Sequence, residues 1–148
     1  MGLIGTTLRI VGQLLPILDT YSEATIGPEG GTLAIAGGHS LYFPPGALPD
    51  TLTVSAVRDP LKILVDFAPH GLVFPDSAQP QLTYSYEGGI LLGLLSPLLG
   101  GLIDPSDLLV VYLNGRLVAD ILPTTVDEDA KVATANLSHF STYALATD

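Results

Sequence analysis

Near the end of the chain, in NLSHFSTYALA (136–146), an imidazole and a hydroxyl stand two residues apart at His139 and Ser141, with Phe140 between them. A hydroxyl can act as a nucleophile while a neighbouring imidazole takes its proton, the pair of residue types that acyl transfer or backbone cleavage would use. Such cleavage also needs a distorted peptide bond and a donor for the developing oxyanion, and no tripeptide supplies either. Without them the stretch is an ordinary strand, with His139 and Ser141 on one side and Phe140 in the core on the other.

The other reactive residue types are dispersed. His39, His70 and His139 lie far apart, and no two have the spacing of metal ligands on one helix or hairpin. The acidic run Asp127 to Ala130 lacks the long ligand loop and central glycine of an EF-hand, so it reads as a solvated hairpin turn. There is no G-x-S-x-G elbow and no glycine-rich loop leading into a helix. No acidic residue sits in an aromatic cluster that would mark a sugar cleft, and tryptophan is absent. Asn136-Leu137-Ser138 is a formal glycosylation sequon. With no cysteine there is no disulfide, thiolate nucleophile or thiolate zinc site. The expectation is a chain without cofactor or metal.

The elements that position these residues must come from 148 residues, enough for one domain with a real core. The chain is 47% hydrophobic and 14% charged, where a soluble domain carries about 25% charged residues. Its net charge is −10, and its five basic residues, Arg9, Arg58, Lys62, Arg116 and Lys131, form no patch, which argues against nucleic acid. No stretch reaches the roughly 18 to 20 unbroken apolar residues of a membrane span. Contacts between subunits therefore become the leading use for the apolar surplus.

Two segments carry much of that surplus. Residues 1–22 place Ile4, Leu8, Val11, Leu15 and Leu18 at helical spacing, which predicts an amphipathic N-terminal helix. The segment lacks the positive start and Ala-x-Ala end of a signal peptide. A leucine-rich insert at about 89–105, with Leu91, Leu92, Leu94, Leu95, Leu98 and Leu99, predicts one or two short helical turns. A connection this apolar must cover a sheet or meet another molecule, since each leucine left in water forgoes roughly 1.5–3 kcal/mol. Between and after these segments, from residue 23 to 148, short runs alternate at period two between glycine and proline punctuation. Expected strands include 32–36, 62–67, 72–74 and 81–86, a hairpin at Asn114-Gly115, a second around the acidic turn, and a closing strand at 141–146. The fold class this predicts is an all-β antiparallel sandwich.

Three stretches, ATIGPEGGTLAI, LYFPPGALPDTLTVSAV and VDFAPHGLVFPDSAQPQLTYSY, resemble the ZU-five domain family, as does the closing LSHFSTYALA more loosely. The family, named from tight-junction scaffolds and netrin receptors, is also found in ankyrins and has bacterial exported relatives. The resemblance covers most of Ala24 to Tyr86; the first twenty residues and the insert have no counterpart in it. It implies a β-sandwich used for protein contacts. It also implies that, where self-cleavage occurs in such a terminal strand, His139 would be the base, Ser141 the nucleophile and the bond after Phe140 the scissile one.

The expected function is thus a non-enzymatic structural or adhesive subunit, secreted or on a bacterial cell surface, that joins copies of itself through the two apolar segments. One alternative is an autoproteolytic domain acting at Phe140-Ser141. A second is a monomeric module that binds a protein or a glycan.

Overall fold

Alternating side chains set the inner faces of two antiparallel sheets. The computed structural model describes residues 9–13, 20–86, 90–91, 104–115 and 117–147. The strands are β1 (Arg9–Ile10), β2 (Gly12–Gln13), β3 (Tyr21–Ile26), β4 (Gly31–Ile35), β5 (His39–Phe43), β6 (Leu52–Arg58), β7 (Leu64–Ala68), β8 (Gln81–Ser85), β9 (Ile90–Leu91), β10 (Leu109–Asn114), β11 (Leu117–Ile121), β12 (Thr125–Asp127), β13 (Val132–Asn136) and β14 (Thr142–Thr147). The first sheet runs β11-β10-β14-β7-β6-β3, with β1 also paired to β14; the second runs β12-β13-β8-β5-β4. A small third sheet pairs β2 with β9.

Leu41 and Phe43 of β5, Val54 and Ala56 of β6, Val65 and Phe67 of β7, and Leu82 and Tyr84 of β8 are buried between the sheets. Each pair is two residues apart, the strand period that sends alternate side chains to one face. Burial of these side chains is the main term that holds the two sheets together.

The turns follow from local chemistry. Gly30 has φ +91°, and a Cβ there would come within 2.4 Å of the Phe43 carbonyl oxygen, so no other residue fits without moving backbone. Gly46, at φ +89°, turns the corner after Pro44-Pro45. In the acidic hairpin Asp127 Oδ1 accepts the N–H groups of Asp129 and Ala130 at 3.0 and 3.1 Å, a local turn. Around Asn114-Gly115 the register pairs Asn114 with Leu117, so Asn114 closes β10 and Gly115, at φ +65°, starts the link.

Three expectations need correction. The N-terminal helix is not seen: residues 9–13 are extended, and the rest of 1–19 lies outside the described residues. Along β14, pairing with β7 ends at Ala144–Leu64, and the chain at Ile10–Val11 occupies the backbone groups beyond it. Val11 N–H donates to Leu145 O at 2.9 Å, and Val11 O accepts Ile63 N–H at 2.8 Å. Ile10 and Val11 are β-branched and Gly12 disfavours a helix, so the open ladder outweighed the helical spacing. The helical insert is likewise not seen. Ile90–Leu91 is a strand, Pro105–Asp107 is a single 3-10 turn, and 92–103 lies outside the described residues. Expected strand 72–74 is a single bridge, Val73 to His139, flanked by Phe74 N–H to Ser138 O and Phe140 N–H to Leu72 O.

Candidate functional site

The closing segment places its three candidate residues differently from one another. Phe140 is 2% exposed. Its ring stacks on Phe67 at 5.3 Å and meets Phe74 and Phe43 edge-on at 5.1 and 6.0 Å. The half-buried His139 ring stands edge-on to Tyr112 at 4.8 Å. Its Nδ1 lies 3.4 Å from Phe140 O, and no hydrogen bond joins it to Ser141. A base must reach the proton it abstracts within about 2.6–3.2 Å; here the imidazole faces the carbonyl oxygen instead.

The backbone around the Phe140–Ser141 bond is held on both sides. Phe140 N–H donates to Leu72 O at 2.8 Å, Ser141 O accepts Phe67 N–H at 3.0 Å, and Tyr143 OH donates to His139 O at 2.6 Å. Burial raises the Tyr143 hydroxyl pKa above its ordinary value, so it stays a donor. The expected outcome is an uncut chain: denatured intact mass should show one 15.4 kDa species. The Ser141→Ala variant should do the same. A fragment ending at Phe140, found in the parent and absent from the variant, would establish cleavage.

A buried polar group unforeseen in the sequence bridges the sheets at the other end. Arg58 is 1% exposed. From β6 its guanidinium donates to Asp59 O at 2.8 Å, Lys62 O at 3.1 Å and, across the sandwich, Ala36 O at 3.1 Å. Its Nη1 lies 3.4 Å from Nε2 of His39, which is 2% exposed on β5. His39 Nδ1 accepts Ser85 N–H at 2.9 Å, which puts the single proton of the neutral ring on Nε2. Burial, and then the Arg58 charge, lower the His39 pKa to about 3. Tyr84 packs edge-on against His39 at 5.1 Å and donates to Tyr143 O at 2.7 Å. The signal was present: Val54, Ala56 and Arg58 share one strand face, so alternation alone turns Arg58 inward.

His70 pairs with Asp66 at 2.9 Å on the surface, and Asp66 Oδ1 also accepts the Thr142 hydroxyl at 2.8 Å. Among the described residues no group of three or more His, Cys, Asp or Glu is placed to hold a metal ion. A cleft of about 230 Å³ between β8, β12 and β13 is lined by Gln81, Thr125, Thr134 and Asn136, with no titratable side chain.

The expected interface segments meet. Gly12 pairs with Leu91 and Gln13 with Ile90, so β2 and β9 tie the N-terminal segment to the leucine-rich one. Ile10, one residue before Val11, packs with Leu64, Leu109, Val118 and Ile121 around Val111, Leu113, Ala144 and Ala146. Those four core residues of the cluster alternate with inward Val110, Tyr143 and Leu145, so this second apolar cluster lies on the outer face of the first sheet. Val11 itself is 0% exposed within the chain's own core. Ile4, Leu8, Leu15, Leu18, Leu92, Leu94, Leu95, Leu98 and Leu99 lie outside the described residues. Among the described residues no helix is long and apolar enough to cross a membrane.

Compared with known proteins, the chain matches no family model and no curated sequence.

Proposed function

We propose that this chain is a non-enzymatic β-sandwich subunit, ZU-five-like, exported to the surface or surroundings of a bacterial cell, that joins copies of itself through its two apolar segments. The observation that carries the reading is the β2–β9 pair. It ties the N-terminal and leucine-rich segments together two residues after Ile10, which packs on the outer face of the first sheet. Two segments far apart in sequence are thereby joined backbone to backbone. The low charged fraction of the chain and its resemblance to a contact-making family support the same reading.

Replacing Leu15 and Leu18 with Asp tests it. Two carboxylates on a contact surface oppose burial strongly, so particle mass should fall while the thermal unfolding transition persists. Unfolding of the sandwich by these changes would mean that the segment is core, and the reading would lose its support.

A further inference from the structure

We propose that β4 is a docking edge for a second copy of this chain, the two β4 strands pairing antiparallel so that two five-stranded sheets become one. The proposal rests on the reading of the chain as a self-associating subunit and adds a second contact outside the apolar segments.

A sheet edge presents unpaired N–H and C=O groups that template another strand. Proteins blunt such edges with charge, proline, bulges or short length. Among the described residues, β3 and β11 end the first sheet and β4 and β12 end the second. β3 carries Glu23. β11 carries Asp120 and a register shift against β10. β12 carries Asp127 and is three residues long. β4, GTLAI, has no charge, no proline and an unbroken register with β5. Among the described residues no hydrogen bond reaches β4 from its outer side.

Charge selects the occupant. In a chain of net charge −10, self-pairing of an acidic edge brings carboxylates of two copies together, and like charges across a strand pair are destabilising. β4 alone of the four edges avoids this. A two-fold axis through Leu33 sets Thr32 opposite Ala34 and Gly31 opposite Ile35 of the copy, and the nearest acid, Glu29, opposite Gly37. Thr32 and Ala34 are exposed and small. Leu33 and Ile35 face inward, so the apolar inner faces of the joined sheets run on without a break.

β4 lies beside β3, at the far end of the first sheet from β10 and β11 and their outward apolar cluster. Two separate contacts on one subunit propagate copies into a linear assembly instead of closing at a dimer.

The test is a Thr32→Glu/Ala34→Glu variant followed by light scattering. Both side chains are exposed, so the thermal unfolding transition should persist. In the otherwise unchanged chain the mass should drop to twice 15.4 kDa, leaving pairs joined by the apolar segments. Combined with Leu15→Asp/Leu18→Asp it should drop to a single chain. Mixing in a Thr32→Lys/Ala34→Lys variant should restore the larger species. An unchanged mass in the Glu variant overturns the β4 contact. A mass that responds to the Glu pair and ignores Leu15→Asp/Leu18→Asp counts against the apolar-segment reading alone. Should the Leu variant unfold, the Glu pair in the parent chain decides by itself.

Discussion

Acidification from pH 6.5 to 3 should remove about 5 kcal/mol of folding stability through His39 alone, at about 1.4 kcal/mol per pH unit. The direction follows from the buried position. Folded His39 resists protonation until about pH 3, because burial and the Arg58 guanidinium oppose a second positive charge. The unfolded chain takes up that proton below about 6.5. Between these values the unfolded state binds more protons, so stability is complete above pH 6.5 and declines as pH falls. A proton added at Nδ1 would also displace the bond from Ser85 N–H, 2.9 Å away. Urea melts at pH 7 and pH 5 measure the slope before most carboxylates titrate. His39→Asn, whose side-chain oxygen can still accept an N–H, should flatten it. An equally steep slope in that variant would place the acid sensitivity elsewhere.

Phe140→Ala should destabilise the chain by about 3–5 kcal/mol, the usual range for removing a buried aromatic ring and leaving its cavity. The upper half of that range is expected here. Phe140 meets three other phenylalanines, from β5, from β7 and from the Val73 bridge region, so its removal leaves a gap that touches both sheets. Backbone on both sides of the gap is fixed by the Leu72 and Phe67 hydrogen bonds, which limits collapse into it. Phe140→Leu should recover much of the loss by refilling volume. Chemical denaturation measures both. A loss below 1 kcal/mol for the alanine variant would show that the ring is not central to the core.

The sandwich was legible because its strands alternate. β5, β6, β8 and β14 each send every second side chain inward, and the turns between them carry the glycines and prolines that such links require. The closing strand and the burial of Phe140 were legible for the same reason. The short strands β1, β2 and β9 were not. Two residues hold too little of any period; β1 is extended against a stretch of β14 that exists only once the sheet has formed, and β2 and β9 against each other. The direction of His139 toward a carbonyl oxygen instead of Ser141 depends on Tyr112 packing against its ring, a contact made across the fold. Arg58 turned inward as alternation requires. Its three carbonyl partners come from two turns on different sheets, and no spacing in the chain announces them.

The central claim is self-association, and light scattering across a dilution series tests it most directly. The account predicts particle masses that are multiples of 15.4 kDa and that persist on dilution. A single-chain mass at every concentration would contradict it, and would make the molecule a monomeric binding module instead.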